Sequence, residues 1–554
     1  MQAYIKQASG AIWGILFLMT TVLFSKIFRM KLRRKTFIAS FLLGSVYALL
    51  AFMNYELGVN GGIDIYVKAI LILIGNTVFF TIILSGIFTY LLTSNSIFSA
   101  NHPDRSNCLW FIAIATALLL CWMPYYLACF PGNLTSDTIG EIRQQLGESP
   151  LSNHHPVIHQ LMLRIGLIIG KAFGSYQLGI GILTLMQMLS VSLAFTGCLA
   201  YLRKRGINRI VLTVLFLYYA VIPVNGFYAV TLYKDVPFAI AALLLVILLT
   251  KELNGEFCTE KAKVLSVIAA AVTGFFFCTV RNNGYYAFLL GYPIVFLMNL
   301  KKDWKRLFLI GVSTLILALG YKWFLFDVMS IPKSSTGEML PLPLQMIARV
   351  VKCDEPALDD ENFVTLGEAI PDYAALSENY IPNNADPIKV APVFNANQFD
   401  KDPVKYARSW LNIGLSHPKT YIEAFLLHTH AFWSLDETAT ITADIYPNEY
   451  GISHNTRFEQ LRYRLIDLHV FISSLQPIAI IQSFGILIVL LLFVITLLVI
   501  NNRIAELSSV FIIAFLWLTA IAGPVPLYHY VYGIAVTLPF FFVLAISNCH
   551  KEQS

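Results

Sequence analysis

The stretch NLTSDTIGEIRQQLGESPLSNHHPVIHQ, residues 133–160, carries Asp137, Glu141, Arg143, Glu148 and three histidines on one polar link. Apolar runs bound it at 109–130 and 177–202. A bilayer crossing needs roughly 20 mostly apolar residues, so the link reads as a loop at one membrane surface. The rest of the chain is threaded from there. Of its 554 residues, 57% are hydrophobic and only 13% charged, whereas soluble domains carry about 25% charged residues. This is the balance of a polytopic membrane protein. A net charge of +6 is small for the length and suggests no nucleic-acid surface.

Apolar runs near 10–28, 36–54, 66–93, 109–130, 177–202, 210–228, 236–250, 264–281, 285–300, 307–326, 476–500, 507–523 and 531–548 give about thirteen spans. The first is followed by basic residues, not by a small-residue cleavage site, so no cleavable signal peptide is expected. Lys26, Arg29, Lys31, Arg33, Arg34 and Lys35 follow it. Other basic groups, Arg203 to Arg209, Lys251 to Lys263, Lys301 to Arg306 and Arg503, follow alternate later spans. Lys and Arg in short loops mark the cytoplasmic side. The threading puts the N-terminus outside, the C-terminus in the cytoplasm and the 133–160 link outside. Eight cysteines are scattered and suggest no disulfide framework.

The expected fold is all-α: N-terminal spans in 1–108, a transmembrane core in 109–326 with a first outer loop at 131–176, an extracytoplasmic domain in 327–475 and C-terminal spans in 476–554. The apolar stretch 156–174 carries Arg164 and Lys171, so it reads as a helix lying in the outer interface with Pro156 at its first position. Segment 327–475 is expected to be mainly helical, with starts at Asp402-Pro403 and His417-Pro418. Gln345 and Arg349 fall one helical turn apart. Trp410 and Trp433 are candidate interface markers.

Each titratable residue has two readings. Ser136 or Asp137 suits a helix cap; Asp137 equally suits a general base where apolar surface meets water. Glu141, one turn later, is a second active-site acid or a solvated charge. Asp235 is a partner of its neighbour Lys234, a cap ahead of Pro237, or a group that holds an acceptor hydroxyl or metal. His154, His155 and His159 suit polar contacts to phosphate or sugar, or a structural capping role. The His155/His159 spacing also suits Zn²⁺, but Pro156 separates the two and no cysteine is near, so no metal is assigned. Arg281 in "RNNG" either snorkels to headgroups or clamps a phosphate, with Asn282 and Asn283 as donors and Gly284 for close approach. Lys322 is a weaker candidate of the same kind. The tyrosines around His529 read as an aromatic belt, and Asn133 heads a glycosylation sequon that arises easily by chance.

In their order along the chain, these features resemble the C-type glycosyltransferase superfamily, which includes protein O-mannosyltransferases and lipid A aminoarabinose transferases. An outer-loop Asp, then His-Pro and an interfacial helix, is that group's pattern; here it falls on Asp137 and His155-Pro156. A later family acid falls on Asp235 in "YKDVPFAI", and the basic residue that meets the lipid phosphate falls on Arg281. The chain also resembles a largely uncharacterised bacterial membrane family through "LSNHHP", "KDVPF", "RNNG", "LPLQMIARVVK" and "HPKTYIEAF". Where that family has an Arg near its last outer loop, this chain has His529.

The resemblance implies transfer of a sugar from a polyprenyl-phosphate donor to an envelope glycan, lipid or protein on the outer face, with inversion. It implies catalytic roles for Asp137, Asp235 and Glu141. Donor or substrate contacts fall to Arg281, Asn282, His154, His155, Lys234, Arg349 and His529. No cofactor is expected; a divalent metal lacks support. Membrane lipids are the other expected partners. The alternatives are a transporter or flippase of lipid-linked saccharides, a polymerase or ligase, or a non-enzymatic sensor.

Overall fold

The computed structural model describes residues 33–63, 67–93 and 107–547. The expected span at 10–28, the basic residues Lys26, Arg29 and Lys31, and Cys549 lie outside them. Among the described residues the chain is helical, with isolated bridges between extended segments and no strand. Nine helices among the described residues are long and apolar enough to cross a membrane, or ten if one bent pair counts as a span. The protein is therefore multi-pass; of the expected spans, twelve fall in the described residues, and nine of these are full-length helices.

The difference has local causes. The run at 210–228 breaks into Arg209–Val221 and Pro223–Val230, bent by 54°. Pro223 forces Ile222 out of helical geometry, to ψ 119°. The run at 285–300 becomes a helix of only 17 residues, Asn282–Met298. The run at 476–500 splits into Gln476–Ile481 and Phe484–Ile500. At that split, Phe484 N donates to Glu437 O (3.0 Å) and Gly485 N to Ser434 O (3.0 Å), so extended chain takes hydrogen bonds a continuous helix would use.

The chain forms two compact units. Of the described residues, one holds 33–63, 67–93, 492–503 and 545–547. In it, Arg34–Asn60 and Val67–Thr93 pack against each other, with the Tyr47 and Phe80 rings edge-on at 6.0 Å. The other holds 107–491 and 504–544, so the expected core and extracytoplasmic domain share one unit.

In that second unit the helix Val157–Ala172 packs against Tyr176–Lys204 through buried Leu163, Gly166, Leu167 and Gly170. Pro156 stands just before its first turn. Its opposite side leaves Leu161, Ile165, Ile168 and Phe173 exposed, the surface expected of a helix lying against lipid. Segment 341–421 has its own core, including Leu344, Ile347, Phe363, Leu376, Tyr406 and Ile413. Helices Pro403–Ser416 and Pro418–Thr429 start at the two expected prolines. The tryptophans do not mark an interface: Trp410 packs on Tyr421 at 5.5 Å, and Trp433 is buried and donates to Thr429 Oγ1 at 3.2 Å. All seven described cysteines are free.

Gly179 fixes the crossing of the two helices at 157–204. A Cβ there would meet Gly166 O at 2.1 Å and Gly170 Cα at 2.5 Å, whereas Gly197 on the same helix has open space. Gly179→Ala should destabilise by about 1–3 kcal/mol and lower the thermal midpoint in detergent. Gly197→Ala should leave it unchanged or raise it slightly. Equal midpoints for the two variants would refute this crossing.

Candidate functional site

A three-stretch clasp positions the first outer loop. Asn133 N donates to Val230 O (3.0 Å) and Leu232 N to Asn133 O (3.1 Å); on the other side Leu134 N donates to Asp444 O (3.2 Å) and Tyr446 N to Leu134 O (2.8 Å). The Asn133 side chain is fully buried, donating to Thr231 Oγ1 at 3.0 Å and Thr442 O at 2.8 Å. A glycan has no room on that amide, which disposes of the sequon. Tyr233 bonds to Thr442 through its hydroxyl.

From this clasp the chain enters the helix Ser136–Leu146. Its cap is Thr135, whose Oγ1 accepts from Thr138 N at 3.3 Å, and not Ser136 or Asp137. Asp137 is thus in the first turn with no capping role. Its side chain keeps 54% of its surface open and faces Lys234 Nζ at 3.4 Å and His155 Nδ1 at 3.7 Å. Lys234 Nζ also lies 3.1 Å from His155 Nδ1. Burial works to raise the Asp137 carboxyl pKa, but the Lys234 ammonium, with His155 and His529 behind it, holds it below the usual carboxylate range. Burial and then the same ammonium push His155 down to about 4. At neutral pH the trio is an anion, a cation and a neutral imidazole.

Asp235 points the other way. It opens the helix Asp235–Leu253 and is neither a cap nor a partner of Lys234. It pairs with Arg281 Nη1 at 2.5 Å, with side chains 1% and 8% exposed. Arg281 lies over the Tyr530 ring at 4.6 Å and donates to Tyr530 O at 3.5 Å. It therefore does not snorkel. Among the described residues, Asp235 Oδ2 is buried with no hydrogen-bond partner. His529 stacks on Tyr233, centroids 4.8 Å apart at 25°. Tyr233 and Tyr530, read only as belt residues or not at all, thus form walls of the site; the alternation in "LYKD" was the available signal.

Other expected residues stand apart. Glu141 is no solvated charge: it is buried and meets buried His159 Nδ1 at 2.6 Å. This pair joins the loop helix to the interfacial helix. Gln160 shapes the turn between them, donating to Ser152 O and His155 O at 2.9 Å each. His154 is exposed and packs edge-on to His155. Arg349 engages Glu423 at 2.7 Å inside the 341–421 domain, and Gln345 donates to Ile381 O at 2.8 Å. Asn282 is exposed, and Asn283 donates to Thr519 O at 3.1 Å. The close approach at Gly284 is to Phe277, whose carbonyl a Cβ would meet at 1.9 Å, and not to a ligand. His155 and His159 face different partners, and among the described residues no three of His, Cys, Asp and Glu are grouped to hold a metal ion.

Residues 146–554, nearly three quarters of the chain, match DUF6020, a family of unknown function, and the protein belongs to it. The matched region contains His155, Lys234, Asp235 and Arg281 and begins after Asp137. No curated protein and no solved structure matches the chain.

Two measurements test the electrostatics. His155 is neutral in the native state down to about pH 4 and protonates in the unfolded chain below its ordinary 6.5. Its contribution is complete above roughly pH 6.5 and is lost as pH falls toward 4, on the order of 3 kcal/mol at most. His454 titrates in the same window. The thermal midpoint should fall across that window, and His155→Gln should flatten part of the fall; an unchanged slope would contradict the assignment. Second, Asp235→Asn or Arg281→Met alone should cost about 3–5 kcal/mol by stranding a buried charge or polar group, and the double variant should recover most of it. A thermal double-mutant cycle showing simple additivity would argue against the pairing.

Proposed function

We propose that this DUF6020 protein is a C-type membrane glycosyltransferase that moves a sugar from a polyprenyl-phosphate donor to an envelope acceptor on the outer face, inverting the anomeric centre. One observation carries the reading. A half-open carboxylate, Asp137, shares a lysine and a histidine with the mouth of a helical unit, next in sequence to a buried Asp235–Arg281 pair. The reaction needs both: a base on the water side and cations where a lipid phosphate ends.

In this mechanism the acceptor hydroxyl gives its proton to Asp137 as its oxygen attacks the anomeric carbon. The bond from that carbon to the phosphate oxygen breaks, and polyprenyl phosphate leaves with the electron pair. Lys234 and Arg281 neutralise the growing phosphate charge. Lys234 also links the two ends of the reaction. While it faces Asp137 it weakens that base; a donor phosphate that draws the ammonium away lets the carboxyl pKa rise toward the range useful for proton transfer. The unpartnered Asp235 Oδ2 is an acceptor for a substrate hydroxyl. Glu141 serves this reading as a buried brace for the loop.

The transporter reading has one observation in its favour, the 54° break at Ile222–Pro223, since broken helices line transporter sites. Purified protein in liposomes, given radiolabelled polyprenyl-phosphate sugars and envelope acceptors, separates the two. Wild type should transfer label to acceptor. Asp137→Asn should lose about 10²–10⁴-fold in turnover at an unchanged thermal midpoint. Full turnover by Asp137→Asn, or label that crosses the bilayer without changing carrier, would refute the transferase reading.

A further inference from the structure

Lys322 lies in the span Trp304–Val328, six residues before its end. Its Nζ sits 3.3 Å from the centroid of the Tyr285 ring, on the neighbouring helix Asn282–Met298. An ammonium has three donors, and a ring face takes one direction of approach. Among the described residues no carboxylate lies in ion-pair distance of this ammonium and no oxygen accepts from it. Four other basic residues of the same unit are matched: Arg281 with Asp235, Arg205 with Glu256, Arg306 with Glu252, and Lys302 with Leu253 O. An ionisable group within a span that lacks a protein counter-charge points to a ligand that brings one.

The surroundings define that ligand. Leu319 and Trp323 beside Lys322, and Tyr286 and Leu289 beside Tyr285, expose large apolar surfaces. In a membrane-spanning unit these faces meet acyl chains. Tyr285 is one helical turn, about 5–6 Å, beyond Arg281, the residue that starts its helix. The ammonium therefore stands near the end of the helices, at the level of headgroups, with apolar surface on either side. A molecule that fits has an anionic head and a hydrocarbon body.

We propose that Lys322 and Tyr285 form a lateral site for the phosphate of a membrane lipid, open to the bilayer between the helices Asn282–Met298 and Trp304–Val328. The phosphate accepts from the ammonium while the chains run along Leu319, Trp323 and Leu289. The site is separate from the Asp137 cluster and does not depend on the transfer reaction. Phospholipid and polyprenyl phosphate share this chemistry, and the test distinguishes them.

Full-length protein in phosphatidylcholine nanodiscs is doped with either phosphatidylglycerol or a long-chain polyprenyl phosphate, and bound lipid is counted by native mass spectrometry. Wild type should retain at least one of the two. Lys322→Gln should retain about tenfold less of it at an unchanged thermal midpoint, and Lys322→Arg should retain it as wild type does. Loss of phosphatidylglycerol alone identifies a phospholipid site; loss of polyprenyl phosphate, alone or as well, identifies a path for prenyl lipids. Equal retention of both by wild type and Lys322→Gln, or retention of neither by wild type, overturns the proposal. The readout is occupancy, so a failed transfer assay leaves it standing, and the reverse.

Discussion

Two consecutive residues of opposite charge, Lys234 and Asp235, must each find a partner where apolar surface meets water. Asp235 is buried and is met by Arg281 at 2.5 Å. A lone ion at that burial would be strongly unfavourable. Lys234 stands just before the helix begins and Asp235 just inside it, so their side chains diverge by roughly 100°. One reaches into the unit and the other into the mouth. A slip of one residue at this helix start would set Lys234 in the place of Asp235, against the positive charge of Arg281. The buried pair thus fixes the helix register, and the register sends Lys234 to Asp137 and His155.

What brings Asp137 there is non-local. The Asn133–Leu134 stretch is held on one side by Val230 to Leu232 and on the other by Asp444 to Tyr446. Thr442 ties both sides, accepting from Asn133 and bonding to Tyr233. Three segments separated by about a hundred and about two hundred residues must therefore be in place before the carboxylate meets its lysine. The Glu141–His159 pair and Gln160 then set the angle between the loop helix and the interfacial helix, and with it the place of His155.

Local physics was readable and pairing was not. The prolines at 403 and 418 announced helix starts because a missing N–H is harmless there. The interfacial helix was legible from Arg164 and Lys171 in an apolar run too close to its neighbour for another crossing. Runs that hydropathy alone reads as continuous spans are broken where Pro223 and the 434–437 segment interrupt them. For the site, sequence supplied the residue types but not the full pairing: Asp137 meets Lys234 as well as His155, and Asp235 meets Arg281 rather than its chain neighbour Lys234. Which of two adjacent charges is buried depends on Arg281 and Tyr530, residues from other helices. Arg349 has a partner of the same non-local kind: its counter-ion, Glu423, lies 74 residues away.

The two ends of the larger unit differ in a way that bears on mechanism. At the end away from Asp137, Arg205 meets Glu256 at 3.1 Å and Glu506 at 3.5 Å, Arg306 meets Glu252 at 2.8 Å, and Lys302 caps the carbonyl of Leu253 at 2.6 Å. These contacts tie together the ends of four helices, and each of these three cations has a counter-charge or carbonyl. At the Asp137 end the balance is left incomplete: a carboxylate half open to water, a buried carboxylate oxygen with no donor, and a lysine that rests on a ring. A path through the unit would have to break the matched set, leaving several partly buried charges unpaired at once. Chemistry confined to one face requires no such step and uses the unmatched groups where they stand. That asymmetry favours a site that works from one side.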